Sequence, residues 1–121
     1  NMPIEVYNYG KQRRDFTYID DIVSGINLII EKIDFTGIKD IYNIGSGNPK
    51  ELEHMIDLLE NLFNKKFRFT KIESQMGDVS NTYADISLLQ KDFNFKIKTD
   101  FESGLKKFTD WYKKINNVTW V

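Results

Sequence analysis

The chain has 121 residues, 40% hydrophobic and 29% charged, with 17 basic against 18 acidic side chains and a net charge of −1. That is the composition of one ordinary globular domain, able to bury roughly two-thirds of its unfolded surface, and it gives no argument for nucleic acid or an anionic membrane as partner. The lack of cysteine excludes disulfides, thiolate metal sites and cysteine nucleophiles, and the one histidine, His54, cannot form a histidine metal site unaided. No apolar run is long enough to span a bilayer and no leader pattern precedes the domain, so cytoplasm is the expected compartment.

Ile4 to Tyr7 alternates as a short strand with nothing before it to pair with, so the chain reads either as a fragment of something longer or as starting at Met2 behind one extra residue. Asn8 to Gln12 is a turn in which Gly10 is free to take a positive φ. Phe16-Thr17-Tyr18-Ile19 is β-branched and aromatic, which predicts a second strand. Asp20 and Asp21 stand where a helix needs a cap and first-turn acids; Ile22, Val23, Ile26, Ile29, Ile30 and Ile33 then repeat at helical spacing, predicting an amphipathic helix over 21–32.

Asp40 to Ile44 is expected to be an apolar strand ending at Gly45-Ser46-Gly47. Asn48-Pro49-Lys50-Glu51 is a helix start, with Asn48 as cap, Pro49 at the first position and Glu51 closing a capping box. Leu52, Met55, Ile56, Leu59, Leu62 and Phe63 form that helix's buried stripe. Phe67 to Ile72 alternates as a strand, and 73–82 is polar loop. Asp85 is positioned to cap a short helix through Phe93 with Leu88 and Leu89 buried. Thr99 to Glu102 is another capping box, and Phe101, Leu105, Phe108 and Trp111 give a last helix to about Lys114, before a frayed tail over 115–121. The order of strand, strand, helix, strand, helix, strand, helix, helix is α/β, in one domain over 1–121.

Three stretches are unusual for scaffold alone. Arg13 to Asp21 places a planar guanidinium at an element end, suited to phosphate oxygens; alone, a surface ion pair between Arg14 and a nearby aspartate explains it better. Gly45-Ser46-Gly47 between strand and helix can hold an anion on free N–H groups, but it lacks the third glycine of a dinucleotide loop, and a structural turn is the better reading. Gln75 to Val79 is a loop that presents a carboxylate, Asp78, suited to a pair of sugar hydroxyls, although by spacing alone a plain loop is the better reading. Tyr7-x-x-x-Lys11 copies the dehydrogenase Tyr–Lys pair, but it straddles a strand end and a glycine turn rather than one helical turn, and is coincidence. His54 falls off its helix's apolar stripe and is expected to be solvated.

Taken in order, Val6-Tyr7-Asn8-Tyr9-Gly10-Lys11, Arg14-Asp15-Phe16-Thr17-Tyr18-Ile19-Asp20-Asp21, Tyr42-Asn43-Ile44-Gly45, Gly77-Asp78-Val79, Tyr83-Ala84-Asp85 and the closing helix around Trp111 resemble the C-terminal part of the NAD-dependent nucleotide-sugar epimerase/dehydratase family, the extended short-chain dehydrogenases. The wording is most like UDP-glucuronate 4-epimerases, which often serve capsule or surface polysaccharide synthesis. The resemblance spans residues 3–114. It implies a small α/β substrate-binding portion of short strands and about four helices, without the Rossmann half. It implies that Arg14 contacts the substrate diphosphate, that Asp78 binds the uridine ribose hydroxyls and that Tyr7 lies beside the uracil. Gln75 takes a place where hexose epimerases of the family use a phosphate-binding arginine. Met76 and Ser80 stand where prolines are common, which loosens the Asp78 loop.

The family's NAD loop and catalytic Ser/Thr, Tyr and Lys are absent from this sequence. No catalytic residue, cofactor or metal is therefore assigned to it; the expected ligand is a UDP-sugar, the expected partner a separate or missing NAD-binding half, and an exposed apolar face with self-association should follow. The alternatives are a stand-alone, non-catalytic nucleotide-sugar-binding or interaction module, or a fragment of a related decarboxylase or 4,6-dehydratase.

Overall fold

The computed structural model describes residues 3–32 and 40–116. The elements are β1 (Ile4–Val6), a 3-10 turn (Tyr7–Gly10), β2 (Arg13–Arg14), α1 (Ile19–Lys32), β3 (Lys50–Glu51), α2 (Leu52–Phe63), β4 (Phe69–Lys71), α3 (Ser87–Phe93) and α4 (Phe101–Ile115). The order of types is the expected one, but two strands lie elsewhere. β1 finds its partner downstream, pairing in parallel with β4 from Ile4 opposite Phe69 to Val6 opposite Lys71. β2 and β3 pair antiparallel, Arg13 opposite Glu51 and Arg14 opposite Lys50. These are two separate two-stranded sheets.

Phe16 to Ile19 is not a strand. Its side chains pack on α4 instead of joining a ladder: the Phe16 ring stacks on Phe101 with centroids 5.2 Å apart, and Tyr18 lies against Gly104 under the Lys107 ammonium, 4.9 Å from the ring centre. Ile19 already begins α1. Asp40 to Ile44 also forms no strand among the described residues. Tyr42 and Ile44 turn to the core while Ile41, 91% exposed, turns out. The alternation is strand-like, but no described strand lies beside it to complete a ladder.

The expected start of the second helix is displaced. Arg13 and Arg14 recruit the backbone of Lys50 and Glu51 into β3, and the Pro49 carbonyl accepts from Arg13 Nη2 at 2.8 Å. α2 therefore starts at Leu52, with Glu51 as an extended N-cap that makes no side-chain bond, and Asn48 caps nothing. At α4 the working cap is one residue later than the predicted Thr99. Asp100 accepts from the Ser103 N–H at 2.9 Å and from its hydroxyl at 2.8 Å. α3 starts at Ser87, whose N–H is held by the Asp85 carboxylate at 3.0 Å.

The core is Ile86, Leu89, Phe93 and Phe95, covered by Leu28, Ile29, Tyr42, Ile44, Ala84 and Ile97. Gly25 lets α1 approach: a Cβ there would sit 3.2 Å from both Ile44 and Phe95. Leu88, expected inside, is exposed, as are Phe108 and Trp111 of the last helix; Thr109 takes the buried place and bonds back to the carbonyls of Leu105 and Lys106. α4 ends at Ile115, and 117–121 of the expected tail lie outside the described residues, as does Ile33. No described helix is long and apolar enough to cross a membrane.

Candidate functional site

The loop from 73 to 82 is stitched between the two small sheets. On one side Ile72 donates to the Val6 carbonyl at 3.0 Å, and Tyr9 donates to that of Ile72 at 3.1 Å. On the other, Arg13 donates to the Ser80 carbonyl at 2.9 Å and accepts from Thr82 at 3.1 Å. The end of β1 carrying Tyr7, the Arg14 strand and the Gln75–Asp78 loop are thereby gathered from three parts of the chain.

Arg14 and Asp78 meet directly. Arg14 Nη2 donates to Asp78 Oδ1 at 2.7 Å and to Gln12 Oε1 at 3.2 Å, and Nη1 donates to the Arg13 carbonyl at 2.8 Å. Both members of the pair remain partly open to solvent, at 24% and 31%. The surface ion pair that the sequence suggests for Arg14 is present, and its partner is the second candidate ligand group. Gln75 reaches this pair through the backbone: its carbonyl accepts from the Asp78 N–H at 3.1 Å. With Gly77 at φ +88°, that bond makes a type II turn in which Met76 is the second residue. Proline fits that position by fixing φ, so Met76→Pro is expected to raise stability by about 0.4–1 kcal/mol, measured as a higher urea midpoint. A lower midpoint would show that residue 76 departs from the proline-compatible φ.

Tyr7 opens a left-handed turn. Asn8, Tyr9 and Gly10 all have positive φ, at +47°, +53° and +82°. Gly10 takes this without strain; for Tyr9 it is an uncommon state, adopted with its N–H bonded to the Ile72 carbonyl just past β4. The Tyr7 hydroxyl donates to Glu5 Oε2 at 3.2 Å, and that carboxylate raises the phenol's pKa above the ordinary value. A tyrosine acting as a base needs the opposite shift, which agrees with discounting Tyr7 and Lys11 as a catalytic pair.

The Gly45-Ser46-Gly47 N–H groups hold an anion supplied by the chain itself. Asp15 Oδ1 accepts from the Ser46 N–H at 3.1 Å and from the Ser46 hydroxyl; Oδ2 accepts from the N–H groups of Gly47 at 3.1 Å and Ala84 at 2.9 Å. Partial burial pushes the Asp15 pKa up, but the bonds from Ser46, Ala84, Gly47 and Asn48 together outweigh it and leave the pKa below the usual value. Gly45 must be glycine, since a Cβ there would lie 2.4 Å from the Ala84 Cβ and 2.9 Å from Asp15 Oδ2. Asp21 is the second internal anion, fully buried, accepting from Lys98 and Thr99 at 2.9 and 3.1 Å. Neither carboxylate is among the predicted site residues. The signal for Asp15 was the glycine turn itself, whose free N–H groups require an acceptor. This passage does not fit NAD, because its N–H groups are occupied by Asp15.

His54 is solvent-exposed, with its ring 5.8 Å from that of Phe101. No cluster of three or more His, Cys, Asp or Glu suited to a metal occurs among the described residues.

Residues 1–45 match the NAD dependent epimerase/dehydratase family. The chain is 44% identical over 118 residues to an uncharacterized Methanocaldococcus jannaschii protein, covering 98% of this chain and 35% of that protein. It is 36% identical over 113 residues to a UDP-glucuronate 4-epimerase of Thermodesulfobacterium geofontis, covering 93% and 34%. This chain is similar to members of the epimerase/dehydratase family. Its fold agrees: 93% of it superposes on 36% of the Bacillus cereus UDP-glucuronic acid 4-epimerase, solved with UDP-glucuronic acid and NAD, at a TM-score of 0.82 and 27% identity. The chain thus spans about a third of the length of these relatives, and its architecture is a partial piece of the extended short-chain dehydrogenase fold.

Proposed function

We propose that this chain forms the nucleotide-sugar wall of an NAD-dependent 4-epimerase that interconverts UDP-glucuronate and UDP-galacturonate in the cytoplasm, for capsule or surface polysaccharide synthesis. The observation that carries this reading is the meeting of Arg14 and Asp78, 64 residues apart in sequence, beside the Gln75 turn in a chain related to UDP-glucuronate 4-epimerases. In this reading Arg14 takes the diphosphate by charge-assisted bonds. Asp78 accepts from the ribose hydroxyls, the Tyr7 ring lies along the uracil, and Gln75 offers a neutral amide where an arginine would add charge. NAD and the hydride chemistry belong to the remaining two-thirds of such an enzyme, whether as further sequence or a separate chain. The residues described here bind and orient; they do not move a proton or a hydride.

Two features support a missing neighbour. Ile19, Val23, Ile26 and Ile30 form an exposed apolar stripe along α1, and Asp40 to Ile44 pairs with no strand among the described residues. In isolation the chain should therefore self-associate, seen by sedimentation as concentration-dependent growth in mass; a clean monomer throughout would argue that this face needs no partner. The functional test is incubation of the chain with UDP-glucuronate and NAD. No UDP-galacturonate should form, and turnover by the chain alone would overturn the division of labour.

A further inference from the structure

Resting on that reading of the site, we infer that Asp78 and Gln12 withhold the Arg14 fork from simple phosphates, so that the site selects a nucleoside diphosphate over free diphosphate. A guanidinium offers two two-pronged edges, Nη1 with Nη2 and Nε with Nη2, and each needs an Nη2 hydrogen. Both Nη2 hydrogens are taken, one by Asp78 at 2.7 Å and one by Gln12 at 3.2 Å; one Nη1 hydrogen goes to the Arg13 carbonyl. Among the described residues, the donors left are one Nη1–H and the Nε–H, which belong to different edges. An arriving phosphate meets single prongs and a cation already countered by a carboxylate.

A two-pronged grip requires one Nη2 partner to leave, and Asp78 is the one a ligand can draw away. It sits in an exposed loop, on a turn whose Gly77 has nothing within 4 Å of where a Cβ would stand. Gln12 is half-buried and its own carbonyl holds the Leu52 N–H at 3.0 Å, so it stays and aims the fork. A vicinal diol donates two O–H bonds to a carboxylate and so replaces what Asp78 loses with Arg14. A nucleoside diphosphate brings the diol and the phosphates together; inorganic pyrophosphate brings only the competitor. Binding of diol and of phosphate is then positively coupled through one ion pair.

The test is calorimetric titration of the chain with pyrophosphate, with and without saturating uridine, alongside UDP. Uridine is expected to tighten pyrophosphate binding about fivefold, the scale of a partly exposed ion pair. Asp78→Asn should tighten pyrophosphate by a similar factor with no uridine present, and should abolish the coupling. In an Arg14→Lys background, which keeps the charge but has no fork, Asp78→Asn should change pyrophosphate affinity less than twofold. An absent coupling in the wild-type chain, or an equal gain in both backgrounds, overturns the inference; the wild-type coupling decides the matter even if a variant folds poorly. If UDP binds and the coupling is absent, only the selection mechanism fails. If UDP itself does not bind, the reading of the site fails with it.

Discussion

Asp15→Ala is expected to destabilise the chain by about 3–5 kcal/mol, a large share of the about 5–15 kcal/mol of an ordinary domain. The carboxylate accepts from three backbone N–H groups and a hydroxyl on two separate loops, and alanine would leave these donors without an acceptor in a partly buried place. The loops it joins carry Ile44 and Ala84 to the core, so the loss extends to the packing around Phe95. Urea unfolding followed by far-UV circular dichroism reads the effect; a loss under 1 kcal/mol would mean that the loops are held by packing alone. Asp15→Asn keeps the shape with weaker, uncharged bonds and should lie between. The pH dependence follows from the lowered pKa. The stabilisation is fully present above the unfolded value of 3.8 and is lost as pH falls through the lower folded value. Asp85 and Asp100 are also lowered, by their bonds from Ser87 and Ser103, so the wild-type chain loses stability in acid for several reasons. The difference between wild type and Asp15→Asn should shrink below about pH 4.

Arg14→Ala is expected to weaken UDP binding by about 10- to 100-fold while leaving the fold in place. The range corresponds to the loss of about 1.5–3 kcal/mol of charge-assisted hydrogen bonding. The fold should survive because Arg14 contributes to β2 through its backbone, and its side chain is a partly exposed group whose ion pair adds little stability. The separation of these two effects is what distinguishes a ligand-binding arginine from a structural one. A midpoint lowered by several kcal/mol with UDP affinity unchanged would return Arg14 to the surface-pair reading.

The helices were legible from their period, although the start of α2 was not, because Asn48 caps nothing. α1, α2 and α4 carry apolar residues at helical spacing, and Asp100 marks a real cap. The strands were not, because pairing is decided by residues far away. Lys50-Glu51 reads as the inside of a helix start until Arg13-Arg14 comes alongside, and Phe16 to Ile19 has strand composition but spends its side chains on α4. Phe95, one of the most buried residues, belongs to no periodic segment and so carried no signal. At the candidate site, the residues of interest were visible as motifs, but their meeting was not: nothing local says that Arg14 reaches Asp78. Both readings entertained for the Arg14 stretch, a phosphate fork and an ion pair, point at the same side chain. The glycine turn is structural, as the better reading had it, and the anion on its N–H groups is the chain's own Asp15.

Whether Tyr7, Arg14, Gln75 and Asp78 of this chain receive a nucleotide is read most directly by a UDP titration followed by backbone amide NMR. Saturable shifts are expected, confined to the Tyr7–Gly10 turn, Gln12 to Arg14 and the Gln75–Asp78 loop, with the Phe95 core and α4 unmoved. No shifts at millimolar UDP, or shifts scattered over the surface, would contradict the proposed site.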